Sequence, residues 1–160
     1  ITIFAIYKRP PAYTGSGMIA TCFDTVPSSD YGVSLRTSPT HCEWLTERQN
    51  ASGGYTAAAA STPITDQSVW QIVMGETSSQ TQTKITNLKT NTSNVSTNTN
   101  PRRALGDENI TLGYAQNTQQ WIAEVHVAIV VIFNRLLTED EKVKVNERLH
   151  VLAKTQGIIL

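Results

Sequence analysis

The chain reads as an all-β protein, an antiparallel β-sandwich closed by one C-terminal α-helix. Three observations lead there. Short apolar or alternating runs recur between turn residues through most of the chain. One continuous β-branched run spans residues 125–133. A capped helix signal follows directly after it.

The turns come first. Pro10-Pro11 with Gly15 and Gly17, the stretch 26–30 around Pro27, and Ser38-Pro39-Thr40 punctuate the first third of the chain. They separate strand-length runs at 1–7, 18–24, 31–37 and 41–46. Gly53-Gly54 precedes a run at 55–60, Thr62-Pro63 precedes one at about 69–76, and 81–88 alternates weakly. Many strands followed by a single helix favour a sandwich over βα units. Residues 125–133 are almost wholly apolar, too short to span a bilayer as a helix and suited to a strand covered on both faces. That makes them the expected central strand. Thr138-Glu139-Asp140-Glu141 is a capping box: the threonine oxygen can accept from a free first-turn N–H while Glu141 reaches back to the threonine N–H. Val145, Leu149 and Leu152 repeat at helical spacing and Gly157 offers a left-handed stop, so a helix is expected over about 139–154.

The pieces Gly113-Tyr114, Ile122-Ala123-Glu124-Val125, Asn134-Arg135-Leu136-Leu137-Thr138, Glu141 and Gly157-Ile158 together resemble the C-terminal end of laminin G-like domains. The resemblance implies a concanavalin A-like jelly roll and a single laminin G-like domain over 1–160. Several more residues than the family pattern separate Glu124 from Asn134, which requires a bulge or an added loop. The chain opens in a strand without an initiator methionine, which reads as a processed product or a fragment. Family members carry further strands ahead of this point, so an open edge or core face is expected near residues 1–7. A preceding segment or a neighbouring subunit would cover it.

Composition narrows function. The 160 residues hold 13 basic and 13 acidic side chains, a balance that lacks the footprint of a nucleic-acid or anionic-membrane binder. Residues 90–100 are nearly all Thr, Asn and Ser, and are expected to form a mobile or hydrogen-bonded surface loop, either a plain connection or part of a recognition surface. Cys22 and Cys42 fall in the first and third strands of an expected meander, about 9–10 Å apart, beyond disulfide reach, so both read as free buried thiols. No metal site is expected. His41, Cys42 and Glu43 alternate across a strand, and Asp24, Asp30, Asp66 and the 107–109 turn supply hard oxygens without forming a calcium loop.

No catalytic constellation is evident and no cofactor is implied. The Glu-x-Asp-x-Glu strand of glycan-cleaving concanavalin-like folds is absent, 139–141 is explained by capping, and His126 reads as a core or interface histidine. Trp70 and Trp121 read as core. Trp44, with His41, Glu43, Arg48 and Tyr55 around it, is the better candidate among the aromatics for an exposed ligand contact, although a structural role is the favoured reading even there. Sequons at Asn50, Asn91, Asn94 and Asn109 are of the kind a Thr/Ser/Asn-rich chain produces by chance. Low lysine with abundant Thr, Asn, Ser and Gln is similar to bacteriophage virion proteins. The expectation is therefore a non-catalytic virion surface or appendage protein acting in assembly or adhesion, with other virion proteins or further copies of itself as partners. The alternative is a carbohydrate-binding module of an extracellular protein, with a surface glycan as ligand.

Overall fold

The computed structural model describes residues 1–11, 14–23, 32–78, 82–98, 100–101, 110–113 and 123–160. Ten strands precede one helix among them: β1 (Thr2–Lys8), β2 (Gly17–Phe23), β3 (Gly32–Thr37), β4 (His41–Gln49), β5 (Tyr55–Pro63), β6 (Gln71–Thr77), β7 (Gln82–Asn87), β8 (Thr92–Thr97), β9 (Thr111–Leu112), β10 (His126–Phe133) and α1 (Glu139–Thr155). They form two antiparallel five-stranded sheets, in the orders β10-β1-β6-β7-β8 and β5-β4-β3-β2-β9. The expected sandwich with one C-terminal helix is the observed architecture, and β2, β3 and β4 form the expected meander.

Strand alternation sorts side chains into two apolar layers. Between the sheets lie Ile3, Ala5, Tyr7, Ile19, Val33, Leu35, Trp44 and Ile85. On the outer face of the first sheet, Phe4, Ile6, Ile72 and Met74 pack beneath Leu137, Leu149 and Ala153 of the helical segment. Lys142 of α1 reaches Glu76 of β6 at 2.5 Å, both side chains being largely buried. Burial alone would lower the Lys142 ammonium, but its hydrogen bonds to Glu139 and Glu76 outweigh that and hold it above its ordinary value.

Both helix ends follow the sequence. Thr138 Oγ1 accepts from Glu141 N at 3.3 Å and Glu141 Oε2 accepts from Thr138 N at 2.9 Å. Arg135 clamps the same carboxylate with two hydrogen bonds of 2.8 and 2.6 Å. At the far end Gly157 sits at φ +70°, Ile158 N donates to Ala153 O and Gly157 N donates to Lys154 O, a complete Schellman motif.

Four expectations are corrected. The 125–133 run is not the central strand: β10 lies at the sheet edge and pairs only with β1 among the described residues. Its apolar continuity reflects two covered faces, one against the inter-sheet layer and one under α1, and says nothing about neighbours in the plane of the sheet. The inner position belongs to β1, which β10 and β6 flank and whose residues 2–7 are buried, so there is no open face at residues 1–7. Ala128 is the extra residue of a bulge opposite Ile6 and Tyr7, which absorbs part of the lengthened spacing between Glu124 and Asn134.

The Thr/Asn tract is the third correction. Its residues 92–97 are a strand, β8, joined to β7 through a turn in which Asn87 Oδ1 accepts from Lys89 N and Thr90 N and Asn91 adopts φ +54°. Composition misleads here because polar side chains order the strand in place of apolar burial. Asn94 Nδ2 donates to Ser61 O, Thr62 Oγ1 meets Thr92 Oγ1, and Asn98 Nδ2 donates to Thr56 Oγ1, stitching β8 to β5 across the gap between sheets. Fourth, of the two readings of His126, core or interface, the core one is corrected: its side chain is 44% exposed and lies 2.6 Å from Glu124.

Cys42 is a buried free thiol, pushed up to about 12 chiefly by burial. The side chain of Cys22 and the whole of Trp121 lie outside the described residues, as do Asp24, Asp30, the 107–109 turn and Asn109.

Candidate functional site

The residues expected to surround a ligand are dispersed across both faces of β4. Trp44 is wholly buried, its indole flat against Gly75 of the facing sheet, with Nε1 donating to Thr77 Oγ1 at 2.7 Å. The favoured structural role of Trp44 is the one observed, and its candidacy as an exposed ligand contact is corrected. Arg48 shares its parity and is likewise buried, donating to Asn100 O at 3.1 Å and Thr83 Oγ1 at 3.2 Å. His41 and Glu43 point the opposite way. His41 Nδ1 meets Ser38 Oγ at 2.8 Å, and Glu43 pairs with Arg36 of β3 at 2.5 Å. The Tyr55 backbone pairs with Gln49, and its side chain lies outside the described part. No single surface collects these five residues.

Asp66, the described member of the hard-oxygen set, is exposed and accepts from Ser68 N and Ser68 Oγ, which lowers its carboxyl below the usual range. Among the described residues no three His, Cys, Asp or Glu side chains gather as for a metal.

The feature that does stand out is the β10 edge. Along residues 127–133 every side chain is apolar, and each except the exposed Ala128 is half-buried, with no charge, proline or glycine in the run. Val127, Val130 and Ile132 face the inter-sheet layer while Ile129, Val131 and Phe133 face α1. Edge strands of this kind normally carry a charge, a proline or a cover, because their unpaired N–H and C=O groups template a further strand. Among the described residues, 127–133 have only the bulge at Ala128.

Beside this edge runs a trough between β10 and α1. One part, of about 260 Å³, is lined by Val131, Phe133, Val145, Leu149 and Leu152 with Lys144 and Arg148 on its rim. The next, of about 570 Å³, is lined by Trp70, Ala128, Ile129, Leu152, Gln156 and Ile158. Leu152 belongs to both, and the pairing of helix start with Phe133 and helix end with Ala128 shows that α1 runs antiparallel to β10. Leu152 is 49% exposed, against its expected place in the core stripe, and Val151 is 57% exposed beside it. Lys144, Arg148 and Leu152 are spaced i, i+4, i+8 and so form one stripe along the trough. Neither cation is in an ion pair among the described residues. Trp70 is half-buried rather than core, with Lys8 Nζ 4.9 Å above its ring.

No family model matches this sequence, and no curated protein matches it. Among solved structures the chain is similar to the crystal structure of the receptor-binding domain of botulinum neurotoxin C/D mosaic serotype. The TM-score is 0.56 at 12% identity, over 91% of this chain and 35% of that one. A second crystal structure of that domain, with tetraethylene glycol on its Hcn sub-domain and a bound sulfate ion, gives the same TM-score, 0.56. The chain thus spans about a third of the length of these structures. At this identity the likeness is one of fold, and it agrees with the two stacked antiparallel sheets described above.

The trough and its two cations were not singled out from sequence. The 144-148-152 spacing is visible there, but only the strand order shows that the stripe borders an open sheet edge.

Proposed function

We infer that the chain is a non-catalytic structural or adhesion module that works through protein contact, used in assembly at the surface of a virus particle as a decoration, fibre or tail element. The observation carrying this reading is the β10 edge, unpaired among the described residues: a run of half-exposed apolar residues beside a trough lined by exposed Leu152. Contiguous apolar surface of this kind marks interaction sites on soluble domains. Support for the virion setting comes from the laminin G-like C-terminal motif and the Thr/Asn/Ser-rich, lysine-poor composition. The engagement of carboxylates in structural pairs supports the absence of chemistry, with Glu43 on Arg36, Glu76 on Lys142 and Glu141 on Arg135.

A second reading, a carbohydrate-binding module of an extracellular protein, draws on the similarity in fold to the toxin receptor-binding domains. The aromatic groove it needed around Trp44 is not present, so it ranks second. Native mass and pull-down against disassembled particle proteins, run beside a glycan array, separate the two. Glycan silence with a stable protein complex supports assembly; selective sugar binding by a monomer with no protein partner overturns it.

A further inference from the structure

We propose that the β10 edge is an acceptor for one additional β-strand supplied by a neighbouring protein, and that this strand is apolar with carboxylates directed at Lys144 and Arg148. The inference rests on the assembly reading and adds the chemistry of the partner.

The backbone argument comes first. β10 pairs with β1 on one side and with no strand on the other among the described residues, so alternate N–H and C=O groups along residues 127–133 point outward. At strand rise this edge is about 23 Å long, enough for a full additional strand. A strand added there gains main-chain hydrogen bonds for affinity and side-chain pockets for specificity.

The side chains then define the occupant. Val127, Val130 and Ile132 on one face and Ile129, Val131 and Phe133 on the other are half-exposed, with no described strand flanking them on the outer side. A new strand completes both layers only if it too is apolar on both faces. The trough along α1 adds a one-sided demand: its floor is apolar, and its rim near Phe133 carries Lys144 and Arg148 one helical turn apart. A carboxylate on the α1 side of the incoming strand, near the Phe133 end of β10, meets both cations.

A second copy of this chain does not meet that demand. Antiparallel pairing of β10 with its own twin sets the Lys144 and Arg148 end of one trough against the Leu152 and Gln156 end of the other, and residues 126–133 offer neither cation an acid. The opposite edge of the sandwich shows the contrast. There Asn94, Asn98 and Thr92 of the β8 region close the gap to β5 with hydrogen bonds and leave no apolar run open.

The test uses the 160-residue chain, isotopically labelled, with two short Val/Thr-rich extended peptides that differ only in carrying two glutamates or two lysines at matched positions. The expected result is slowed amide exchange along β10 with the glutamate peptide, and affinity for it roughly 10-fold above its lysine counterpart, as two exposed ion pairs allow. A Lys144→Glu/Arg148→Glu variant, altered only on the exposed helix surface and checked for fold by circular dichroism, should reverse the preference. The proposal is overturned if neither peptide slows β10 exchange, if peptide charge makes no difference, or if the chain alone dimerises with its β10 amides already protected. It is also overturned if a longer form of the same polypeptide protects β10 and no longer binds peptide, which assigns the edge to an intramolecular strand. A chain that ignores both peptides yet co-assembles with particle proteins loses this inference and keeps the assembly reading. Peptide binding without co-assembly does the reverse.

Discussion

Gly75→Ala should destabilise the sandwich although alanine is the better strand residue. A Cβ built at Gly75 falls 2.5 Å from Trp44 Cδ2, 2.7 Å from Cε3 and 2.9 Å from Cγ, all inside contact distance. The indole is not free to slide away. Its Nε1 is tied to Thr77 Oγ1 at 2.7 Å, and that hydroxyl is itself shared with Thr46 Oγ1 at 2.6 Å. Overpacking of this kind costs about 1–3 kcal/mol, against a gain of roughly 0.5–1 kcal/mol from removing glycine's unfolded-state freedom. A net loss on the order of 1–2 kcal/mol follows, a fall in melting temperature of roughly 2–8 °C for a chain of this size. Urea unfolding should show a lower midpoint at an unchanged slope. The decisive arm is a double-mutant cycle with Trp44→Phe, which removes the outer ring and releases the tether. In that background the cost of Gly75→Ala should shrink by about 1 kcal/mol. Equal cost in both backgrounds, or a stabilising Gly75→Ala, would refute the account of how β4 and β6 meet.

Other consequences are as direct. The Arg135 clamp and the Thr138 amide hold the Glu141 carboxyl down to about 2. A depressed acid contributes stability above its unfolded value near 4.3 and loses it as pH falls toward 2, so melting temperature should drop across that window, and less so in Arg135→Leu. Cys42, pushed up to about 12 by burial, should resist alkylation in the native chain at pH 8 and label fully in denaturant, read by peptide mass mapping. Lys142→Met leaves the Glu76 carboxylate buried, with Lys84 3.8 Å away as its remaining cation. It should cost about 1–3 kcal/mol in urea titrations, and the paired Glu76→Met/Lys142→Met variant should recover much of it.

Local structure was largely legible because it is written in short-range pattern. The strand positions from residue 1 to 88 follow from turn residues, and the helix start follows from Thr138 and Glu141. Strand order is a long-range property, and the 125–133 run shows the gap: a strand covered on both faces reads the same whether it has one neighbour or two. Trp44 failed as a ligand-contact candidate for a reason that local pattern also carries. Cys42, Trp44 and Thr46 share one parity and His41, Glu43 and Glu47 the other, which already points the indole inward. Arg48 breaks the pattern by carrying a buried guanidinium on the apolar side. In residues 92–98, hydrogen bonds from Asn94 and Asn98 supply the order that apolar burial does not.

Residue-resolved amide exchange along β10 tests the central claim most directly. With one neighbour only, the N–H groups that face β1 should be protected while the intervening ones exchange near the rate of an exposed chain, giving an alternating profile across residues 127–133. Uniform strong protection of every amide in that stretch would place a strand on both sides of β10 and contradict the open edge.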